Sequence, residues 1–142
     1  MDFEQQLRDE EGEKLYAYQD HLGYWTIGVG ILIDKRKGGG LLKEESDFIL
    51  RNRIRLKTAE VEKAFPWSKD LDEPRKAVLV GMAFQMGMSG LSGFVNTLLL
   101  VRRGQYKEAA AGMLNSKWAK QTPGRAARMA KQMETGQWQR KS

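Results

Sequence analysis

Hydrophobic and polar positions along the chain fall into three regimes. In the first, Phe3 and Leu7 sit one helical turn apart in a polar segment, and Asp2 followed by Gln5 resembles a capping box. A helix is therefore predicted over residues 2–11, with Gly12 as its stop. From Leu15 to Ile33 the chain turns to aromatic, β-branched and aliphatic residues, several of them alternating: Tyr16, Tyr18, Tyr24, Trp25, Ile27, Val29, Ile31 and Ile33. Asp20-His21-Leu22-Gly23 divides this run as a hairpin turn would, and Gly28 and Gly30 predict bends in the second strand.

Beyond the flexible joint Gly38-Gly39-Gly40 the pattern becomes helical. A long helix is predicted over 46–65, closed by Pro66. Asp72, with Glu73 and Pro74 just inside, starts another that runs to Met86 and is apolar nearly all round, the mark of a buried helix. Helices over 92–101 and 105–117, split by Gly104, come next, and Thr122-Pro123 and Gly136 bracket a last one. The architecture this predicts is α+β and mostly helical. A small N-terminal lobe holds one helix and a short antiparallel sheet, an all-helical C-terminal lobe follows, and a long helix joins them. A cleft between two lobes is a favoured place for a ligand.

Composition narrows the chemistry. The 142 residues contain no cysteine, which removes disulfide scaffolds, thiol catalysis and cysteine-ligated metal centres. A single histidine, His21, argues against a histidine metal cluster or a serine–histidine triad, so no metal or organic cofactor is expected. What remains is carboxylates, hydroxyls and cations. The start, Met-Asp-Phe-Glu, lacks the basic-then-apolar build of a secretory signal. The longest apolar stretch, 77–84, is broken by Gly81 and falls far short of the ~18 residues of a membrane span. A monomer is the default expectation, since no heptad stripe stands out.

Charge is unevenly placed. Residues 1–34 carry a balance of −6 and residues 35–142 one of +12, giving the net +6. A basic C-terminal part suits a polyanion: nucleic acid, an anionic membrane surface or an anionic wall polymer. It equally suits a solvated surface that aids solubility.

Within the acidic lobe, Glu11, Asp20 and Thr26 follow one another at the end of the predicted helix, in the hairpin turn and on the returning strand. Two carboxylates and a hydroxyl on one cleft wall can cleave a glycosidic bond. One carboxyl protonates the leaving oxygen, and the other activates water or stabilises an oxocarbenium-like centre. The spacing alone is expected about 0.07 times in a shuffled chain of this composition. Each residue also has a plain structural role: Glu11 in an acidic helix surface, Asp20 as a turn former and Thr26 as a strand former.

The flanking residues are more specific. Leu7-Arg8-Asp9-Glu10-Glu11-Gly12, Tyr18-x-Asp20 and Gly23-Tyr24-x-Thr26-Ile27-Gly28-x-Gly30 closely resemble the N-terminal lobe of the T-even bacteriophage lysozyme family. In the second half Phe84-Gln85-Met86-Gly87, Gly93-Phe94-x-Asn96, Glu108-Ala109-Ala110, Ser116-x-Trp118, Gln121-Thr122-Pro123-x-Arg125-Ala126 and Thr135-Gly136-x-Trp138 keep the family order. The resemblance runs from residue 3 to 138. It is weakest between about 34 and 72, where this chain is the shorter.

The resemblance implies a single lysozyme domain over 1–142. Its catalytic lobe would lie at about 12–45, and its helical lobe at about 66–142 together with the first helix, 2–11. It implies a muramidase that hydrolyses the β-1,4 bond between N-acetylmuramic acid and N-acetylglucosamine in peptidoglycan, with inversion, as an endolysin for host cell lysis. Such an enzyme would stay in the host cytoplasm until release to the periplasmic wall. Glu11 matches the family's general acid, Asp20 its second carboxylate and Thr26 the hydroxyl that positions water. Leu32, Phe84, Gln85 and Thr97 match saccharide-binding positions, and Arg125 matches an arginine that approaches the acid. Four positions depart from the pattern: Ile31 replaces a usual histidine, Gly112 an asparagine directed at the sugar, and Leu22 and Lys117 an ion pair across the cleft mouth. Two other readings remain, a wall-binding module without turnover and a basic nucleic-acid-binding domain. The latter has no recognisable recognition motif.

Overall fold

The computed structural model describes residues 3–29, 31–33 and 40–141, and for Phe3, Leu7 and Glu11 the backbone alone. Asp2, Gly30, Gly38 and Gly39 therefore lie outside the described residues, as does the pairing of the Phe3 and Leu7 side chains. The chain forms two compact units, residues 1–50 and 51–142.

In the first unit, α1 (Phe3–Glu11) ends where Gly12 adopts φ +73° and its N–H donates to Arg8 O at 2.9 Å, the left-handed stop a glycine provides at no steric cost. Three strands follow, β1 (Lys14–Gln19), β2 (Trp25–Gly28) and β3 (Ile31–Leu32), paired antiparallel in the order β1-β2-β3. A register shift between Lys14 and Tyr18 takes the middle of β1 out of the ladder, and Leu15 stands 88% exposed there. Beyond it Tyr18 pairs with Thr26, and Thr26 with Leu32. Thr26 is thus flanked on both sides and only 2% exposed.

Helix α2 (Lys43–Ala64) begins three residues before the predicted start. The Glu45 carboxylate reaches back to accept from the Leu42 N–H at 2.7 Å, so a capping interaction sets this end where apolar periodicity gives no signal. The first residues of α2 meet the sheet at an apolar groove lined by Leu15, Ile27, Ile31, Leu41, Phe48 and Ile49. Ile31 therefore stands among apolar side chains, an environment that suits its replacement of a polar family residue.

The second unit is helical. Pro66 closes α2 as predicted, and a 3₁₀ turn (Pro66–Asp70) leads to Asp72, whose carboxylate caps α3 (Glu73–Ser92) by accepting from Arg75 N. α3 passes the predicted end at Met86 through a break at Gly87, with φ 77° and ψ 170°. Only glycine holds that backbone without strain, so the signal read as a terminus is a kink. α4 (Val95–Arg102) and α5 (Tyr106–Leu114) flank Gly104. The helix predicted to Lys117 stops at Leu114 because Ser116 intervenes. Its Oγ donates to Met113 O at 2.7 Å and accepts from Ala119 N at 3.1 Å, ending α5 and capping a separate α6 (Lys117–Gln121). α7 (Pro123–Thr135) ends at left-handed Gly136. Val61, Leu79, Met82, Leu91, Met113 and Met133 form the centre of the core. Among the described residues no single helix is long and apolar enough to cross a membrane.

Arg75 ties α3 to the end of α7. Its Nε donates to Met133 O at 2.7 Å and Nη2 to Glu134 O at 2.9 Å, two carbonyls that the helix terminus leaves without intrahelical partners. Nη1 pairs with Asp72 at 3.2 Å, and the guanidinium lies 3.7 Å from the Tyr106 ring centroid. Arg75→Ala is expected to destabilise the protein by about 2–4 kcal/mol, read as a fall in Tm of roughly 5–15 °C. Arg75→Lys should recover little of it, since an ammonium cannot span both carbonyls and stack on the ring.

Candidate active site

The sequence-predicted residues divide between the two units. In the first, Asp20 occupies the hairpin turn. Its Oδ1 accepts from the N–H of Leu22 and of Tyr24, both at 2.9 Å, while Gly23 N donates to Asp20 O and Gly23 takes φ +84°. Aspartate favours this turn because its short side chain can hold backbone amides two to four residues on. The carboxylate is fixed by one oxygen, and Oδ2 takes no hydrogen bond among the described residues.

The Tyr24 peptide carries this order to Thr26. Tyr24 O accepts from Asp20 N at 2.8 Å and from Thr26 Oγ1 at 3.0 Å. The carboxylate and the hydroxyl are thus bonded to the N–H and the C=O of one residue. Because the Thr26 proton is committed to Tyr24 O, its oxygen can only accept from any further partner. Leu32, the Cα partner of Thr26, lies directly across the ladder on the same face of the sheet. Glu11 closes α1, so its backbone stands where the prediction put it; its side chain lies outside the described residues.

In the second unit Phe84 and Gln85 are adjacent on α3, before the Gly87 kink, and both are exposed. Phe84 is thus an apolar ring in reach of solvent on a helix that is otherwise largely core. Gln85 Oε1 accepts from Trp118 Nε1 at 3.0 Å, and Trp118 is itself braced edge-on against Phe94, with ring centroids 6.0 Å apart. An indole N–H can only donate, so this bond fixes which end of the Gln85 amide is the oxygen and leaves Nε2 to donate outward. Thr97 is 6% exposed and packs toward Gly112, where an added Cβ would lie 2.9 Å from Thr97 Oγ1. Arg125 is exposed in the first turn of α7, and Leu22 and Lys117 are exposed. Among the described residues no three His, Asp or Glu side chains converge as a metal site would require.

Trp118→Phe keeps the aromatic brace and removes the donor. If Gln85 contacts the sugar, KM is expected to rise about three- to tenfold with kcat little changed, the value of one hydrogen bond at a fixed amide. Steady-state kinetics on soluble glycan checks this.

A family model described as phage lysozyme matches residues 8–140, which takes in both sets of residues. The chain belongs to the phage lysozyme family. It is accordingly a glycoside hydrolase of the lysozyme type. Two relatives cover it almost end to end. Probable T4-type lysozyme 1 and probable T4-type lysozyme 2 of Dictyostelium discoideum are 33% and 34% identical, each over 92% of both chains. The alignments, 156 and 160 residues long, exceed the 142 residues of this chain, so these lysozymes carry segments that it lacks. The pre-baseplate central spike protein Gp5 of Enterobacteria phage T4 is 28% identical over 96% of this chain, which spans 28% of that protein.

Two features of the candidate residues in this phage lysozyme escape a reading by residue type. The Tyr24 peptide acts through backbone groups, which every residue has. Trp118 contacts Gln85 across 33 positions; the Ser116-x-Trp118 motif marks it, but nothing local assigns its partner.

Proposed function

We propose that this lysozyme is an N-acetylmuramidase that cleaves the β-1,4 bond between N-acetylmuramic acid and N-acetylglucosamine in bacterial peptidoglycan, acting as one domain over residues 1–142. Glu11 protonates the leaving oxygen. Asp20 accepts a proton from water through Oδ2, and Thr26 Oγ1 accepts the water's other hydrogen, so that a lone pair of the water is left to attack the anomeric carbon. Attack by water on the face opposite the leaving group inverts the configuration. Leu32, Phe84, Gln85 and Thr97 hold the saccharide, Gln85 by donating from Nε2, and Arg125 supports the acid.

The observation that carries this reading is the shared fixation of Asp20 and Thr26 by the Tyr24 peptide. It leaves one carboxylate oxygen and one hydroxyl lone pair without a hydrogen bond among the described residues. A relative named peptidoglycan hydrolase gp36, of Pseudomonas phage phiKMV, is 30% identical over 80% of this chain, which spans 12% of that protein, and supports the substrate. The basic remainder of the chain suits a wall bearing stem-peptide carboxylates. The biological setting that follows is an endolysin, a monomer without cofactor held in the host cytoplasm until it is released to the wall for cell lysis.

Purified sacculi test the reaction. The expected result is soluble fragments with new reducing muramic acid ends, formed first as the α-anomer in proton NMR. Anhydro-sugar ends would identify a transglycosylase instead. Binding without new ends would leave a wall-binding module.

A further inference from the structure

One face of α4 is only partly covered by the described residues. Val95, Leu98, Leu99 and Arg102 recur at i, i+3, i+4 and i+7 and so form a single stripe. A stripe of this kind ordinarily lies against the core. Leu98 does, but Val95 is 67% and Leu99 42% exposed. Phe65 and Trp67, with ring centroids 5.9 Å apart, flank the stripe, and Ser92 and Arg102 complete the lining of an open groove of 290 Å³. Thr97 lies on the other side of α4, roughly 150° around the helix from the centre of the stripe. The groove is therefore separate from α4's contribution to the candidate active site, and it shares no residue with Phe84 or Gln85.

Its chemistry selects an occupant. Two aromatic rings and three aliphatic side chains offer an apolar bed, and among the described lining residues Arg102 alone carries charge, followed at once by Arg103. The volume, 290 Å³, falls just short of the ~300–1,000 Å³ typical of small-ligand pockets, so the groove takes one portion of a longer ligand. A ligand that fits has a flat apolar face, several methyl groups and an anionic end. A muramoyl-peptide has all three: the CH face of the pyranose, the methyls of its acetamido, lactyl and alanine groups, and the stem carboxylates.

We propose that the groove is a second binding site for the wall polymer. One sugar ring stacks on Trp67, the methyl groups lie along Val95 and Leu99, and a stem carboxylate pairs with Arg102. The proposal rests on the peptidoglycan reading above and deepens it. A second hold on the polymer raises the effective concentration of neighbouring strands without adding any contact at the site of cleavage.

The test is a proton–nitrogen NMR titration of the full chain with the disaccharide–tetrapeptide N-acetylglucosaminyl-N-acetylmuramoyl-peptide, whose internal bond is not the one a muramidase cuts. Saturable shifts are expected at the Trp67 indole N–H and at the amides of Leu99 and Arg102. Arg102→Glu, at an exposed position, should weaken that binding about tenfold, while the same disaccharide without its stem should bind alike to both proteins. Shifts confined to Phe84 and Gln85 would overturn the second site and leave the substrate reading intact. Groove resonances that move with protein concentration alone would show a second copy of the chain as the occupant and overturn it too. Silence at every resonance would overturn the second site, and release of reducing ends from sacculi by the same protein would leave the substrate reading standing.

Discussion

Glu11→Gln is expected to lower the rate of reducing-end release from sacculi by about a thousandfold while leaving Tm within a degree or two of the wild type. The amide keeps the size and helix propensity of glutamate at the last residue of α1, so the fold has no reason to change. What it loses is a proton to give. General acid catalysis is worth roughly 10²–10⁴ in rate, and without it the alkoxide of N-acetylglucosamine must leave unassisted. The assignment can be separated from a merely structural role by changing the leaving group. On an oligosaccharide ending in a nitrophenol, which departs as a stable anion, the variant should recover most of its lost activity relative to wild type. A variant equally slow on both substrates would show that Glu11 does not act as the acid.

Asp20 carries two duties, and two substitutions take them apart. Asp20→Asn retains Oδ1, so the bonds from the Leu22 and Tyr24 amides persist and the hairpin turn stays closed. The side chain can no longer take a proton from water, and kcat is expected to fall about 10²–10³-fold with little change in stability. Asp20→Ala removes the acceptor as well. It should lose similar activity and, in addition, about 1–2 kcal/mol from two freed amides at the turn. Hydrogen exchange distinguishes the cases directly: the Leu22 and Tyr24 amides remain protected in the asparagine variant and exchange quickly in the alanine variant. An asparagine variant with full activity would restrict Asp20 to its place in the turn.

The parts of this fold legible in the sequence are those set by local chemistry. Gly12 and Gly136 end helices, Asp72 caps α3, Pro66 closes α2, and 20–23 is a turn, each because one or two adjacent residues dictate the backbone. The misjudged boundaries are places where a side chain outweighs the apolar pattern. Glu45 extends α2 backward, and Ser116 cuts one predicted helix into two. Gly87 shows the reverse limit, since a glycine that permits a stop also permits a kink through which the helix resumes. Among the candidate residues, Glu11, Asp20 and Thr26 are singled out by the motifs that flank them and not by residue type and spacing alone. What holds Asp20 and Thr26 has no such mark. The Tyr24 peptide has no signature of its own, and the links from Trp118 to Gln85 and from Arg75 to Met133 span 33 and 58 positions, distances that only the folded chain makes short.

The contact between Gly112 and Thr97 constrains how this sequence can change. With Thr97 in place, the first carbon of any side chain at 112 arrives 2.9 Å from the threonine oxygen. A branched side chain has one rotamer that turns a bare hydrogen toward its neighbour, whereas serine has two. The threonine at 97 and the glycine at 112 are thus one solution to a shared packing problem. A side chain at 112 therefore requires the Thr97 hydroxyl to turn away, a move open to more rotamers of serine than of threonine. The two positions are coupled: a change at one sets the cost of a change at the other.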